Sequence, residues 1–168
     1  YFWHTFSPDS ASLADLNGKI NWVSLEDALI LQKKESKKIW LNLYVDWESS
    51  SKMIQTTYKH PFISKYINEK YYAVKLHATS RDTISFFEHK FTNSGKAPSY
   101  HDFVGAILDG KMRFPATIIF DENHKRIPPI QSYMGPSATE KIMKYYGENI
   151  YKTKDWSEFN KTFISSFE

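Results

Sequence analysis

The run "KKIWLNLYV" (residues 37–45) restricts the fold more than any other stretch. Its apolar and β-favouring residues are nearly continuous, which reads as a buried strand. It leads through Asp46 and Trp47 into "ESSSKM", and from there Met53/Thr57 and Ile54/Tyr58 recur four apart, which predicts a helix from Ser49 to about Lys59. Pro61 resets that helix into a short second one through Tyr66 and Ile67. Two further runs read as strands, "YYAVKLHA" (71–78) and "ATIIFD" (116–121). "IPPIQSYM" (127–134) reads as an edge strand after the turn "ENHK", because prolines survive at edges and strand starts.

Helix signals surround these strands. Ser24 with Asp27 forms a capping box for a helix through about Glu35, and Ser137 with Glu140 does the same for a helix through Tyr146. Asp155 with Glu158 opens a last helix, about 155–167, on which Trp156, Phe159, Phe163 and Phe167 share a face. Between the second and third strands, 79–112 reads as a helical insertion. Ile84, Phe87 and Phe91 mark one short helix, and Ser99 with Asp102 caps another ending near Gly110. The opening "YFWHTFSPDSASLADLNGK" is expected to be a lead-in segment, 1–19, before one domain spanning 20–168.

Composition narrows the function. With 168 residues, 41% hydrophobic and 24% charged, the chain can bury one sizeable α/β core. Its net charge of +3 is mildly basic. The pairs Lys33-Lys34 and Lys37-Lys38 read as cations facing a helix C-terminus rather than a nucleic-acid patch, which would interleave cations with exposed aromatics. No apolar run approaches the roughly 20 residues a spanning helix needs, so no transmembrane segment is expected. The chain has no cysteine, hence no disulfide, thiolate nucleophile or cysteine-based metal site. His60, His77, His89, His101 and His124 show no metal-ligand spacing and read as surface or packing residues. No metal and no cofactor are expected.

Three elements together carry a resemblance: "NLYVDWESSSKM", "RFPATIIFDENHKRI" and "YMGPSATEKIMKYYGE". A strand ends in Asp-Trp at a helix start, and an X-Pro immediately precedes a later strand. This resembles the thioredoxin-like family over about Ile20 to Asn149, and implies an α/β thioredoxin-like fold: a central mixed sheet flanked by helices, with the insertion and an extra C-terminal helix. "HDFVGAILDGKMRFPAT" and "YKTKDWSEFNKTF" look most like secreted thioredoxin-like proteins of Bacteroidota-type envelopes, which implies a periplasmic or envelope-associated protein.

That family's chemistry needs a thiolate at the helix start, a resolving cysteine three residues on and a buried acid nearby. The resemblance puts the first cysteine at Glu48, the second at Ser51 and the acid at Asn42. All three are departures. Engineering to trap a mixed disulfide would place Ser or Ala at a cysteine, rarely Glu, and would have little reason to alter Asn42, so the expectation is natural loss of redox chemistry. An engineered oxidoreductase with the cysteines at 48 and 51 removed is the alternative. A new hydrolytic set is disfavoured, because a carboxylate stabilised at a helix start is a poor base and Ser51 has no sequence-adjacent histidine. Glu48 to Ser51 also simply suit a helix start.

The family's peptide-recognition parts remain. The resemblance implies that Pro115 is cis, that the backbone of Phe114 bridges an extended peptide, and that Trp47 forms a wall beside Glu48. Backbone pairing needs no thiol, so a protein or extended-peptide partner is expected for a redox-inactive binding or scaffold protein. The plainer readings are core packing for Trp47 and Phe114, and a purely structural domain for the whole.

Overall fold

A computed structural model describes residues 18–95 and 99–167. The expected lead-in, but for Gly18 and Lys19, lies outside the described residues. Ser24 accepts the Asp27 N–H at 3.1 Å and starts α1, Leu25–Lys34, as its capping signal requires. The buried run forms β1, Lys38–Tyr44. Then come α2, Glu48–Gln55, a 3-10 turn at Thr57–Lys59, and α3, Pro61–Lys70, with the proline in its first turn. β2 is Tyr71–His77 and β5 is Ala116–Phe120, with the short strands β3, Ile84–Phe86, and β4, His89–Phe91, between them. α4 is Asp102–Ile107, α5 is Pro136–Gly147, and α6 is Trp156–Thr162 after a 3-10 turn at Ile150–Lys152.

The sheet is mixed. β1 lies at its centre, parallel to β2 and antiparallel to β5. A bridge from Trp22 to Ala73 extends the β2 edge, and bridges from Thr117 to Ile130 and Phe120 to Arg126 extend the β5 edge. Within the expected strand 127–134 the bridge among the described residues is the one at Ile130: Pro128 and Pro129 lack the N–H groups that a continuous ladder would use. Both faces of β1 are covered. Ile39, Leu41 and Leu43 face a cluster with α1, α4 and Val74, while Trp40 faces one with Met53, Tyr58, Ile63, Ile67 and Met143. Such two-sided burial is why the strand is almost continuously apolar.

Lys38 does not behave as a helix-terminal cation. It is buried at the start of β1, where its ammonium donates to Glu122 at 2.6 Å and to Asn149 at 2.7 Å. Lys33 and Lys34 do lie in the last turn of α1.

The insertion differs most from its sequence reading. Ile84, Phe87 and Phe91 do not share a helix; they belong to a β-hairpin in which Ile84 faces Phe91 across the strands and Phe86 faces His89. Phe87 takes a φ of 56° in the two-residue turn, as a hairpin bend requires of its first central residue. Glu26 of α1 accepts the Ser85 N–H at 2.8 Å and pins the hairpin. The second expected helix exists, but His101 caps it, not Ser99, with its Nδ1 accepting the Phe103 N–H. Phe103, Val104 and Leu108 enter the main core, so this part of the insertion is structural.

Two other helix ends shift. Gly135 caps α5, leaving Ser137 inside it. Asp155 caps α6 as expected, accepting the Glu158 N–H at 2.8 Å, but the helix stops at Thr162, and the chain continues from an extended Phe163 without regular structure and bends at Ser166. Among the described residues no helix is long and apolar enough to cross a membrane.

Candidate functional site

The register of the sheet decides which loops meet. Leu43 pairs with Ala116, and Tyr44 with His77, so one end of the sheet receives the chain leaving β1, the chain leaving β2 and the chain entering β5. Asp46, Trp47, Thr79, Phe114 and Pro115 therefore emerge together. The carboxyl ends of parallel strands are where open α/β sheets place their ligands.

Trp47 is the N-cap of α2 and is 58% exposed, which removes the core-packing reading for this residue. Its carbonyl accepts the Ser51 N–H at 3.0 Å, the first bond of the helix that Glu48 opens. The Phe114–Pro115 bond is cis. The Phe114 side chain is buried against the core and stacks on Tyr100, centroids 5.4 Å apart, so core packing does describe its ring. Its backbone is another matter: among the described residues neither its N–H nor its carbonyl has a backbone partner.

Two half-exposed rings that sequence reasoning missed frame this region. Tyr100 leans on Phe114, and Tyr133 lies under the Lys52 ammonium of α2 at 5.4 Å. The Thr57 hydroxyl donates to the Met134 carbonyl at 2.8 Å, tying the loop before α5 to the end of α2. Asp46 adds a carboxylate beside Trp47 and accepts from His77 Nε2 at 3.1 Å. His77 Nδ1 in turn accepts the Thr79 N–H at 3.1 Å. Asp46 is almost fully exposed, so this pair is a surface contact.

Beneath the loops, Asn42 is fully buried. Its Oδ1 accepts from the Tyr58 hydroxyl at a long 3.4 Å, and Tyr58 accepts the Trp40 Nε1–H at 3.1 Å. Burial pushes the Tyr58 hydroxyl up to about 12, so it stays protonated and donates. Asn42 Nδ2 and the hydroxyl of Thr117, its register partner, have no hydrogen-bond partner among the described residues. Ser50 is likewise buried with an unpartnered hydroxyl, whereas Ser51 is half-exposed. Ser50 was legible in principle: it precedes Met53 by three, on the helix face that enters the core.

Ser51 has no histidine partner among the described residues, and no group of three His, Asp or Glu among them could hold a metal. The chain has no thiol, so dithiol–disulfide chemistry is closed to it. Of the histidines, His101 caps α4, His124 hydrogen-bonds Gln32 at 2.8 Å, and His60 stacks on Phe167 while its buried Nδ1 has no hydrogen-bond partner among the described residues.

No protein-family model and no curated protein sequence matches the chain. Solved structures do match. A thioredoxin-fold protein from Helicobacter pylori is 16% identical with a TM-score of 0.63, over 91% of this chain and 92% of its own. A thioredoxin from Thermus thermophilus is 7% identical with a TM-score of 0.57, over 87% and 98%. A DsbH oxidoreductase is 14% identical with a TM-score of 0.53, over 78% and 85%. Likeness at such low identity speaks to the backbone alone, and it establishes a thioredoxin fold.

Proposed function

We propose that this chain is a redox-inactive thioredoxin-fold protein of a bacterial envelope, of the Bacteroidota type, that binds extended polypeptide as a scaffold or subunit of an assembly. The binding element is the sheet end bearing Trp47, the start of α2 at Glu48 and the backbone of Phe114 before Pro115. One observation carries the reading: an exposed tryptophan stands at the same sheet end as a peptide unit without a backbone partner. An extended segment laid there gains main-chain hydrogen bonds from Phe114 and apolar contact with Trp47, and neither interaction involves sulfur. The envelope placement rests on the resemblance of "HDFVGAILDGKMRFPAT" and "YKTKDWSEFNKTF" to secreted members of the family.

Residue 48 brings one negative charge to the first turn of α2. Peptides carrying Lys or Arg are therefore favoured over acidic ones by on the order of 1 kcal/mol, less at high salt. Titrating the chain with matched basic and acidic extended peptides, with Trp47→Ala and Glu48→Gln as controls, tests the reading. The expected result is binding that Trp47→Ala weakens and a basic preference that Glu48→Gln abolishes. Absence of binding, or binding indifferent to both substitutions, leaves a structural domain.

A further inference from the structure

The C-terminal residues 163–167 lie across α3 and α5 in the manner of a bound peptide. α6 ends at Thr162, and Phe163 turns extended with φ −68° and ψ 131°. Ahead of the tail stands Glu140, a carboxylate of α5 with no exposed surface. The tail supplies two of its hydrogen bonds: Ser165 Oγ donates to Oε1 at 2.7 Å, and the Ser166 N–H donates to Oε2 at 3.0 Å. Lys144, one helical turn on, donates to the same Oε2 at 3.0 Å and to Ser166 Oγ at 2.6 Å. Its ammonium also sits over the rings of Phe62 and Phe163, 5.1 and 5.6 Å from their centroids. Phe167 closes the contact by stacking on His60 at 4.7 Å and on Phe62 at 5.5 Å.

A buried carboxylate is tolerated only when its lone pairs are satisfied, and here most of that satisfaction comes from outside its own helix. Backbone N–H and hydroxyl onto a carboxylate, with an aromatic side chain in an adjoining slot, is the chemistry of a peptide-recognition site. We infer that the α3–α5 face is a second peptide-binding site, for short segments of the form aromatic-x-Ser-Ser-aromatic that bend at the second serine, occupied in this structure by the chain's own tail. The site is independent of Trp47, which lies in a different loop cluster.

The test uses the full chain carrying Ser166→Pro and Phe167→Ala, which removes the tail's own N–H and ring while leaving Glu140, Lys144, His60 and Phe62 in place. A fluorescent peptide of sequence FISSFE, residues 163–168, is titrated into it, with thermal unfolding confirming a cooperative fold. Expected is saturable binding, weakened about tenfold or more by adding Glu140→Gln, since hydrogen bonds to a charged group are lost. Binding to the unaltered chain should be about a hundredfold weaker, because its own tail competes at high effective concentration. Phe62→Ala replaces Glu140→Gln should the latter fail to fold, with the same expected loss. No saturable binding at millimolar peptide overturns the inference, as does binding that responds to Trp47→Ala and not to Glu140→Gln or Phe62→Ala.

Discussion

Two polar sites in this molecule are built in opposite ways. The Glu140 carboxylate is fully paired: it takes three donors, and its lysine is shared between a serine and two rings, although the neighbouring Thr139 Oγ1 and His60 Nδ1 have no hydrogen-bond partner among the described residues. At the Trp47 end of the sheet the polar groups are half-satisfied, with Asn42 Nδ2, Thr117 Oγ1 and Ser50 Oγ lacking partners and the Phe114 N–H and carbonyl without backbone partners among the described residues. A fully paired site resists change, and a half-paired one tolerates it. The first stabilises the fold around a tail that is already in place, while the second leaves hydrogen-bonding capacity at an open sheet end.

Breaking the paired site should therefore cost most. Lys144→Met leaves a buried carboxylate without its cation, and a loss of about 3 kcal/mol is expected in urea unfolding. A loss below about 1 kcal/mol would mean that the tail alone satisfies Glu140. The half-paired site should react differently. Asn42→Leu removes an amide whose N–H₂ has no partner and whose oxygen holds only a long hydrogen bond, so stability should stay within about 1 kcal/mol of the parent. A loss beyond about 2 kcal/mol would show that Asn42 is well bonded in solution.

Acid separates the two sites further. Burial works to raise the Glu140 carboxyl, but the Ser165 hydroxyl, the Ser166 N–H and Lys144 outweigh it and hold the group below its usual 4.5. A depressed carboxyl contributes stability that is fully present above its unfolded value and is lost as pH falls through its folded value. Protection factors against hydrogen exchange at 163–167 should thus fall selectively below about pH 4, ahead of those at β1. A uniform fall in both segments would contradict a local latch.

The helix start above Asn42 offers a smaller, purely chemical test. Glu48→Cys with Ser51→Cys should form one intramolecular disulfide, as expected if these positions correspond to a redox pair three residues apart. Failure to oxidise to a monomeric disulfide would show that the correspondence is shifted, and the buried Ser50 would become the better candidate for the inner position.

The sheet was readable from sequence because its strands obey single rules. β1 is continuously apolar because both its faces are covered, and Pro61, Ser24 and Asp155 mark helix starts by local chemistry. The insertion was misread for a physical reason as well. Ile84, Phe87 and Phe91 stand at helical intervals, yet only tertiary contact determines that Phe86 and Phe91 turn to the core while Phe87 bends the chain. Trp47 could be named from its motif, but Tyr100 and Tyr133 reach the same region through a distant insertion and a distant loop, with no pattern linking them. Glu140 reads in the sequence only as a capping residue, since two of its three partners lie 25 and 26 residues downstream, although Lys144 stands one helical turn on.

The comparison turns finally on whether the open site binds chain. Backbone amide shifts of the isotopically labelled protein, followed during titration with an unlabelled basic extended peptide, locate the contact directly. Shifts concentrated at Trp47, Phe114 and Ala116, absent in Trp47→Ala, are the expected result for thiol-free peptide binding at this sheet end. Saturation with no shift at those residues, or shifts confined to α3 and α5, would contradict it.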